Sequence, residues 1–364
     1  MKLSDICSFL DSAVPLSFQE VYDNSGLQVG SSETEITSAL IALDITEEVF
    51  NEAVNKGCNL IISHHPLIFN GIKSITGKTA TERIIKTALK KDIAIYSAHT
   101  NLDALSNGVS GKMAEKLDLK NISVLVPLKN RLLKLVTFIP DSHLESVREA
   151  IFSAGAGKTG NYDKCSFNIQ GKGSFRGNDE SNPFIGKKGE VHYENETRFE
   201  TVMFSYLKND VIRALLDTHP YEEVAYDVYP LKNDNIQVGL GCVGELKAAV
   251  DEKYFLEKLS SIFSSEGIKF SKPTTKKIKK VALCGGSGSG FLKEAIASGA
   301  DVFVTADIKY HTFFDAEGKL LLVDIGHYES EKFATEVLND FITKKFPKFA
   351  VRFSEVNTNP INYL

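Results

Sequence analysis

Short apolar runs that stop abruptly at polar, proton-active residues set the grammar of this chain. Cys58 to Ile62 runs into Ser63-His64-His65-Pro66, and Ile93 to Ala98 runs into His99-Thr100-Asn101-Leu102-Asp103. Leu320 to Ile325 runs into Gly326-His327-Tyr328-Glu329-Ser330-Glu331. Runs of this length bounded by breakers read as buried strands, and Pro66 ends strand pairing because it lacks an N–H. All three sets of His and carboxylate groups are therefore expected just past the C-terminal ends of core strands, where open α/β sheets bind ligands.

The segments between these runs alternate with them. Residues 3–13 pattern as a short helix, Leu27–Val29 as a strand, and Ser38–Leu43 as an apolar strand ending in Asp44. Thr46 can cap the next helix, with Glu47 and Glu48 at its positive end, and Gly57 suits its C′ position. Helices follow near 80–91 and 110–118. Strand–helix alternation implies parallel pairing with right-handed crossovers.

From about residue 130 the pattern changes. It reads strand (Leu133–Ile139), helix (Leu144–Ala154), a glycine-rich strand-poor stretch, strands near 189–207, helix (Asp210–Thr218) and strand (Ala225–Tyr229). That is the ferredoxin-like order. From about 237 the α/β rhythm resumes: a helix near 253–264, strands at Val281–Leu283, Asp301–Val304 and Leu320–Ile325, and one long amphipathic helix over 327–346. The expected fold is α/β, a mainly parallel sheet flanked by helices and interrupted by an inserted α+β ferredoxin-like domain. The boundaries are 1–126 and 237–364 for the two halves of a metal-binding domain sharing one sheet, and 127–236 for the insert.

At 364 residues, two domains are expected. A formal net charge of −5 argues against a nucleic-acid-coating surface. No apolar run approaches the roughly 18 residues of a membrane span, and the first residues carry an acid early with no h-region. Five scattered cysteines with no C-x-x-C pair fit reduced thiols, hence a cytoplasmic protein.

Chemistry concentrates at the strand ends. His327 and Glu331 are four apart, so they share a helix face, and the stripe continues through Ala334, Leu338 and Phe341 into the core. His64 and His65 are neighbours whose side chains diverge, which suits one imidazole for each of two metals. Two metals about 3.5–4 Å apart need a bridging carboxylate, with Asp103 and Glu331 as candidates. Such an N/O set suits Zn, Fe or Mn. His99 is either a ligand or the group that holds Asp103, the latter being preferred. Asp307, Lys309 and His311 also follow a strand and could handle protons or substrate oxygens. The Gly285–Gly290 turn could cradle an anion. Gly155–Gly160 lacks P-loop spacing and reads as a hairpin loop. His143 and His192 read as surface residues, and His219-Pro220-Tyr221-Glu222-Glu223 carries no chemistry from sequence. Lys276-Lys277-Ile278-Lys279-Lys280 reads as a solvated face before a strand.

These motifs together resemble a known family. Asp23–Gly30, Ser63-His64-His65-Pro66, His99–Asp103, Thr305–His311, and His327 with Glu331 resemble the dinuclear-metal, Ngg-interacting-factor-like proteins, the type 2 homologues of GTP cyclohydrolase I. Gly160–Asp163 and His219–Asp227 are similar to the extra domain of its longer bacterial members. The resemblance covers essentially the whole chain; Ala306 stands where glycine is expected. It implies that His64, His65, Asp103, His327 and Glu331 hold two divalent metal ions. It also implies a toroidal homohexamer and an insert like nitrogen-regulatory PII and CutA domains.

The expected function is a metal-dependent hydrolase in which water activated at the metals attacks a small substrate, a nucleotide or phosphoester. In it Lys309 or His311 holds developing charge, and Asp307 or His99 moves protons. The competing expectation is a metal-binding or regulatory ring with an effector site on the insert. An open coordination position separates the two.

Overall fold

In the computed structural model, which describes residues 1–233 and 235–364, the chain forms two compact units. One is Met1–Pro127 with Ile236–Leu364, the other Leu128–Asn235.

The first unit begins with α1 (Leu3–Ala13), β1 (Gly26–Val29), β2 (Ser38–Ala42), α2 (Glu47–Asn55), β3 (Leu60–Ser63), α3 (Ala80–Lys91), β4 (Ala94–Ser97), α4 (Thr100–Asp103), α5 (Val109–Lys116) and β5 (Lys120–Leu128). Local chemistry sets these boundaries. The Thr46 hydroxyl accepts the Val49 N–H at the start of α2, and Gly57 leaves that helix with φ of +68°, where an L side chain would be strained. Leu40 and Ile41, adjacent in β2, pack into different apolar clusters. Leu40 meets Val49, Phe50, Ile84 and Ile85 under α2 and α3, while Ile41 meets Leu3, Ile6 and Leu338. A strand buried on both faces is what a parallel sheet between helix layers requires.

The second unit holds β6 (Leu132–Pro140), α6 (Leu144–Ser153), β7 (Ser166–Phe175), β8 (His192–Phe204), α7 (Lys208–Thr218) and β9 (Tyr226–Leu231). Its sheet runs β7-β8-β6-β9 with every pairing antiparallel. Leu135, Ile139, Val147, Phe199, Met203 and Leu215 form its core beneath the two helices. The stretch read as strand-poor contains β7. Gly171 and Gly173 lower its strand propensity, and as an edge strand it shows little buried alternation.

The chain then returns to the first unit through β10 (Asn235–Asp251), α8 (Glu252–Phe263), β11 (Lys269–Phe270), β12 (Lys277–Leu283), α9 (Leu292–Ala297), β13 (Val302–Thr305), α10 (Thr312–Asp315), β14 (Leu321–Asp324), α11 (His327–Glu331), α12 (Ala334–Lys345) and β15 (Ala350–Phe353). The expectation of one shared sheet is corrected: this unit contains two. Sheet one runs β1-β4-β3-β2-β15, and sheet two β11-β14-β13-β12-β10-β5. Only β15 crosses to sheet one, pairing parallel with β2. Apolar periodicity fixes which face of a strand is buried but not which strand lies beside it, so the partition was not readable.

The single long helix over 327–346 is likewise corrected. It is broken between Glu331 and Ala334. Among the described residues no helix is long and apolar enough to cross a membrane, and all five cysteines are free thiols.

Candidate metal centre

The C-terminal ends of three parallel strands deliver the site. His64 and His65 follow β3, His99 follows β4 and starts α4, and Asp103 ends that helix; all four come from sheet one. His327 and Glu331 come from sheet two, on α11 directly after β14. Gly326, with φ of +94°, makes the turn that aims this helix. The i,i+4 spacing then sets both side chains on one face: His327 Nε2 lies 2.9 Å from Glu331 Oε2.

Glu331 is the hub. Its Oε2 also lies 2.8 Å from His65 Nε2 and 3.9 Å from His64 Nε2. His64 Nε2 is in turn 3.7 Å from Asp103 Oδ1. Three overlapping groups have donor atoms within 4.8 Å of one another: His64 with His65 and His99, His65 with His327 and Glu331, and His64 with Asp103 and Glu331.

Each imidazole is held from behind. His64 Nδ1 is 2.8 Å from the Ala98 carbonyl, His65 Nδ1 is 2.7 Å from Asp44 Oδ1, and His327 Nδ1 is 2.7 Å from Asp307 Oδ2. His99 Nδ1 is 2.7 Å from Asp23 Oδ1, and so is held by Asp23 rather than set against Asp103. A carbonyl oxygen can only accept, so His64 carries its proton on Nδ1 and presents the Nε2 lone pair inward. Anchoring through one ring nitrogen while the other faces a common point is the usual arrangement around a protein-bound metal.

Electrostatics follow from the packing. Burial alone would raise the Glu331 carboxyl, but hydrogen bonds from His327 and His65 outweigh it and hold the group well below its usual range. Burial pushes Asp103 upward, against the pull of His64. Burial would depress His65 too, yet the hydrogen bonds to Asp44 and Glu331 raise it to about 10. The fit of this donor set to a metal rests on two atoms: His64 Nε2 and Asp103 Oδ1 are buried with no hydrogen-bond partner. Buried polar atoms without partners are costly, and one cation within reach of both removes that cost.

The DUF34/NIF3 (NGG1p interacting factor 3) description matches residues 1–360. The chain belongs to the DUF34/NIF3 family. It is 40% identical over 357 residues to a Halalkalibacterium halodurans protein named GTP cyclohydrolase 1 type 2 homolog, covering 96% of this chain and 95% of that one. A Bacillus subtilis protein of the same name is 38% identical, covering 99% of this chain and 98% of its own. Among solved structures, a Bacillus cereus protein related to NIF3 superposes with a TM-score of 0.85 at 38% identity, covering 100% of this chain and 99% of that one.

In this NIF3-family chain the other sequence candidates fall in different places. Asp307 is the hydrogen-bond partner of His327, so its carboxylate is already engaged. Lys309 and His311 lie on the exposed segment after β13, where His311 packs against Tyr310. Neither is brought to the cluster. The Gly285–Gly290 turn does not offer an open anion cradle. Its Gly285, Gly286 and Gly288 N–H groups donate to the hydroxyls of Ser110, Ser330 and Thr305. Its role is steric: at Gly286, with φ of +60°, a Cβ would stand 2.0 Å from Glu331 Oε1.

Asp23 and Asp44 had no role assigned from sequence. Asp44 ends an apolar strand, the same signal that marked the histidines. Asp23 opens the Asp23–Gly30 motif, but nothing local set it against His99, 76 residues away.

Proposed function

We propose that the chain is a hydrolase that uses two divalent metal ions, zinc, iron or manganese, to act on a nucleotide or another phosphoester. The observation that carries this reading is the unpartnered pair His64 Nε2 and Asp103 Oδ1, with Glu331 Oε2 beside it and His65 and His327 on its far side. His64 and Asp103 would hold one ion, His65 and His327 the other, and Glu331 would bridge. Ions so held supply Lewis acidity and make water more acidic at neutral pH.

The chain's own residues divide the remaining work. Asp44 and Asp307 hold His65 and His327 in the tautomer that turns Nε2 inward. His99, with Nδ1 bonded to Asp23, keeps its other nitrogen for proton transfer at the edge of the cluster. Lys309 and His311, exposed and apart, are given no catalytic part. The strand order and antiparallel pairing of the second unit support reading it as a ferredoxin-like insert.

The name shared by the relatives puts GTP first among substrates to try. Metal-loaded protein is incubated with GTP, other nucleoside phosphates and simple phosphoesters, and products are separated by chromatography. Turnover that a chelator abolishes and that His99→Gln lowers at least tenfold is expected. A metal-loaded chain that turns over none of them would contradict the hydrolase and favour the regulatory ring.

A further inference from the structure

A cavity of about 960 Å³ is lined wholly by residues of the second unit, whereas the metal cluster belongs to the first. That volume is in the range of small-molecule sites. Its floor is the face of β6, β7 and β8 that α6 and α7 leave open. The segment after β7 and the turn after α7 fold over it.

Three features indicate what it takes. An aromatic wall forms from Phe175, Phe184 and Tyr221, with ring centroids 5.7 Å apart for Phe175–Tyr221 and 6.4 Å for Phe184–Tyr221. Glu196 lines the cavity at 8% exposure, and among the described residues no cation pairs with it. Its Oε1 accepts the Tyr221 hydroxyl at 2.8 Å, and among the described residues none donates a hydrogen bond to its Oε2. The neighbouring Arg198, which also lines the cavity, pairs with Glu200 at 2.9 Å. Gly173 makes room for this carboxylate, since a Cβ there would stand 2.2 Å from Glu196 Oε2. At the rim, Lys172 and Arg176 are exposed.

A carboxylate on a cavity wall, with one oxygen held by Tyr221, keeps acceptor capacity for a ligand. As a pure acceptor it favours a partner with adjacent donors. Guanine offers N1–H and the exocyclic N2–H side by side, whereas the adenine edge offers one donor beside an acceptor that a carboxylate repels. We propose that this cavity binds a guanine-type nucleotide. Its ring lies against Phe175, Phe184 and Tyr221, its donor edge on Glu196 and its phosphate at Lys172 and Arg176. The site is independent of the metal centre and of any reaction there.

The test is calorimetric titration of the full chain with GMP, AMP, guanosine and inorganic phosphate, for wild type, Glu196→Gln, Phe184→Ala and Glu331→Ala. GMP should bind wild type at least about tenfold more tightly than AMP, the discrimination expected of a good bidentate pair, and more tightly than guanosine. Glu196→Gln, whose melting temperature checks its fold, should lose that preference. The surface substitution Phe184→Ala should weaken GMP several-fold, and Glu331→Ala should leave it unchanged. GMP binding that fails in Glu331→Ala and survives in Glu196→Gln would move the ligand to the metal cluster and overturn the proposal. Equal affinity for AMP, phosphate binding as tight as GMP, or no GMP binding would overturn it too.

Discussion

His64 Nε2 and Asp103 Oδ1 lie 3.7 Å apart, both buried, and neither has a hydrogen-bond partner. A protein interior rarely leaves a lone pair on nitrogen facing a carboxylate oxygen with nothing between them. Every other polar atom of the cluster's imidazole backs is spoken for by a carbonyl or a carboxylate. The unpartnered atoms thus lie on the side where the six groups face one another.

Removing a rear anchor should loosen the metal without removing a ligand. Asp44→Asn and Asp307→Asn each delete a carboxylate that sits 2.7 Å from an imidazole Nδ1. Each is expected to weaken metal affinity about 10–100-fold, measured by competition with a chelating dye, while the metal-free form still unfolds cooperatively. Wild-type affinity in both variants would show that the anchors do not act.

Gly286→Ala tests the steric role of the glycine turn. A Cβ there would stand 2.0 Å from Glu331 Oε1 on a backbone with φ of +60°, so either Glu331 or the turn must move. The expected result is metal loss comparable to removing the Glu331 carboxylate itself. Gly290→Ala, where a Cβ meets nothing within 4 Å, should retain full metal content. Equal content in both variants would refute the steric reading.

Protons and metals compete for the same imidazoles. In the metal-free chain His65 is raised to about 10 and His327 to about 9: burial opposes the charge, but hydrogen bonds to Glu331 and to Asp44 or Asp307 prevail. Both folded values exceed the ordinary 6.5. The stability they contribute is therefore complete below about pH 6.5 and lost as pH rises through about 9 and then 10. Chelator-stripped protein should melt at progressively lower temperature over that window, and His327→Gln should melt with a shallower fall. Metal binding displaces these protons, so affinity should tighten across the same rise. Identical pH profiles for both proteins would contradict the assignment.

The sequence carried the centre further than it carried the fold. Each strand-end His followed the end of a short apolar run, so His64, His65, His99 and His327 could be located before any pairing was known, and the i,i+4 spacing of His327 and Glu331 needed only one turn of helix. What was hidden depended on distance along the chain. Asp23 meets His99 across 76 residues, and the split into two sheets turns on β15 pairing with β2 at opposite ends of the chain. The break after Glu331 was masked because Ala334 and Leu338 continue the same apolar stripe on the next helix. Glu196 gave no signal because its place on a cavity wall beside Tyr221, 25 residues away, exists only in the folded sheet.

The most direct test is elemental analysis of protein purified without added metal, wild type beside Glu331→Ala. About two transition-metal ions per chain in wild type, falling sharply in the variant, is the predicted result. A wild-type protein that carries no metal and takes up none from zinc, iron or manganese solutions would contradict the account.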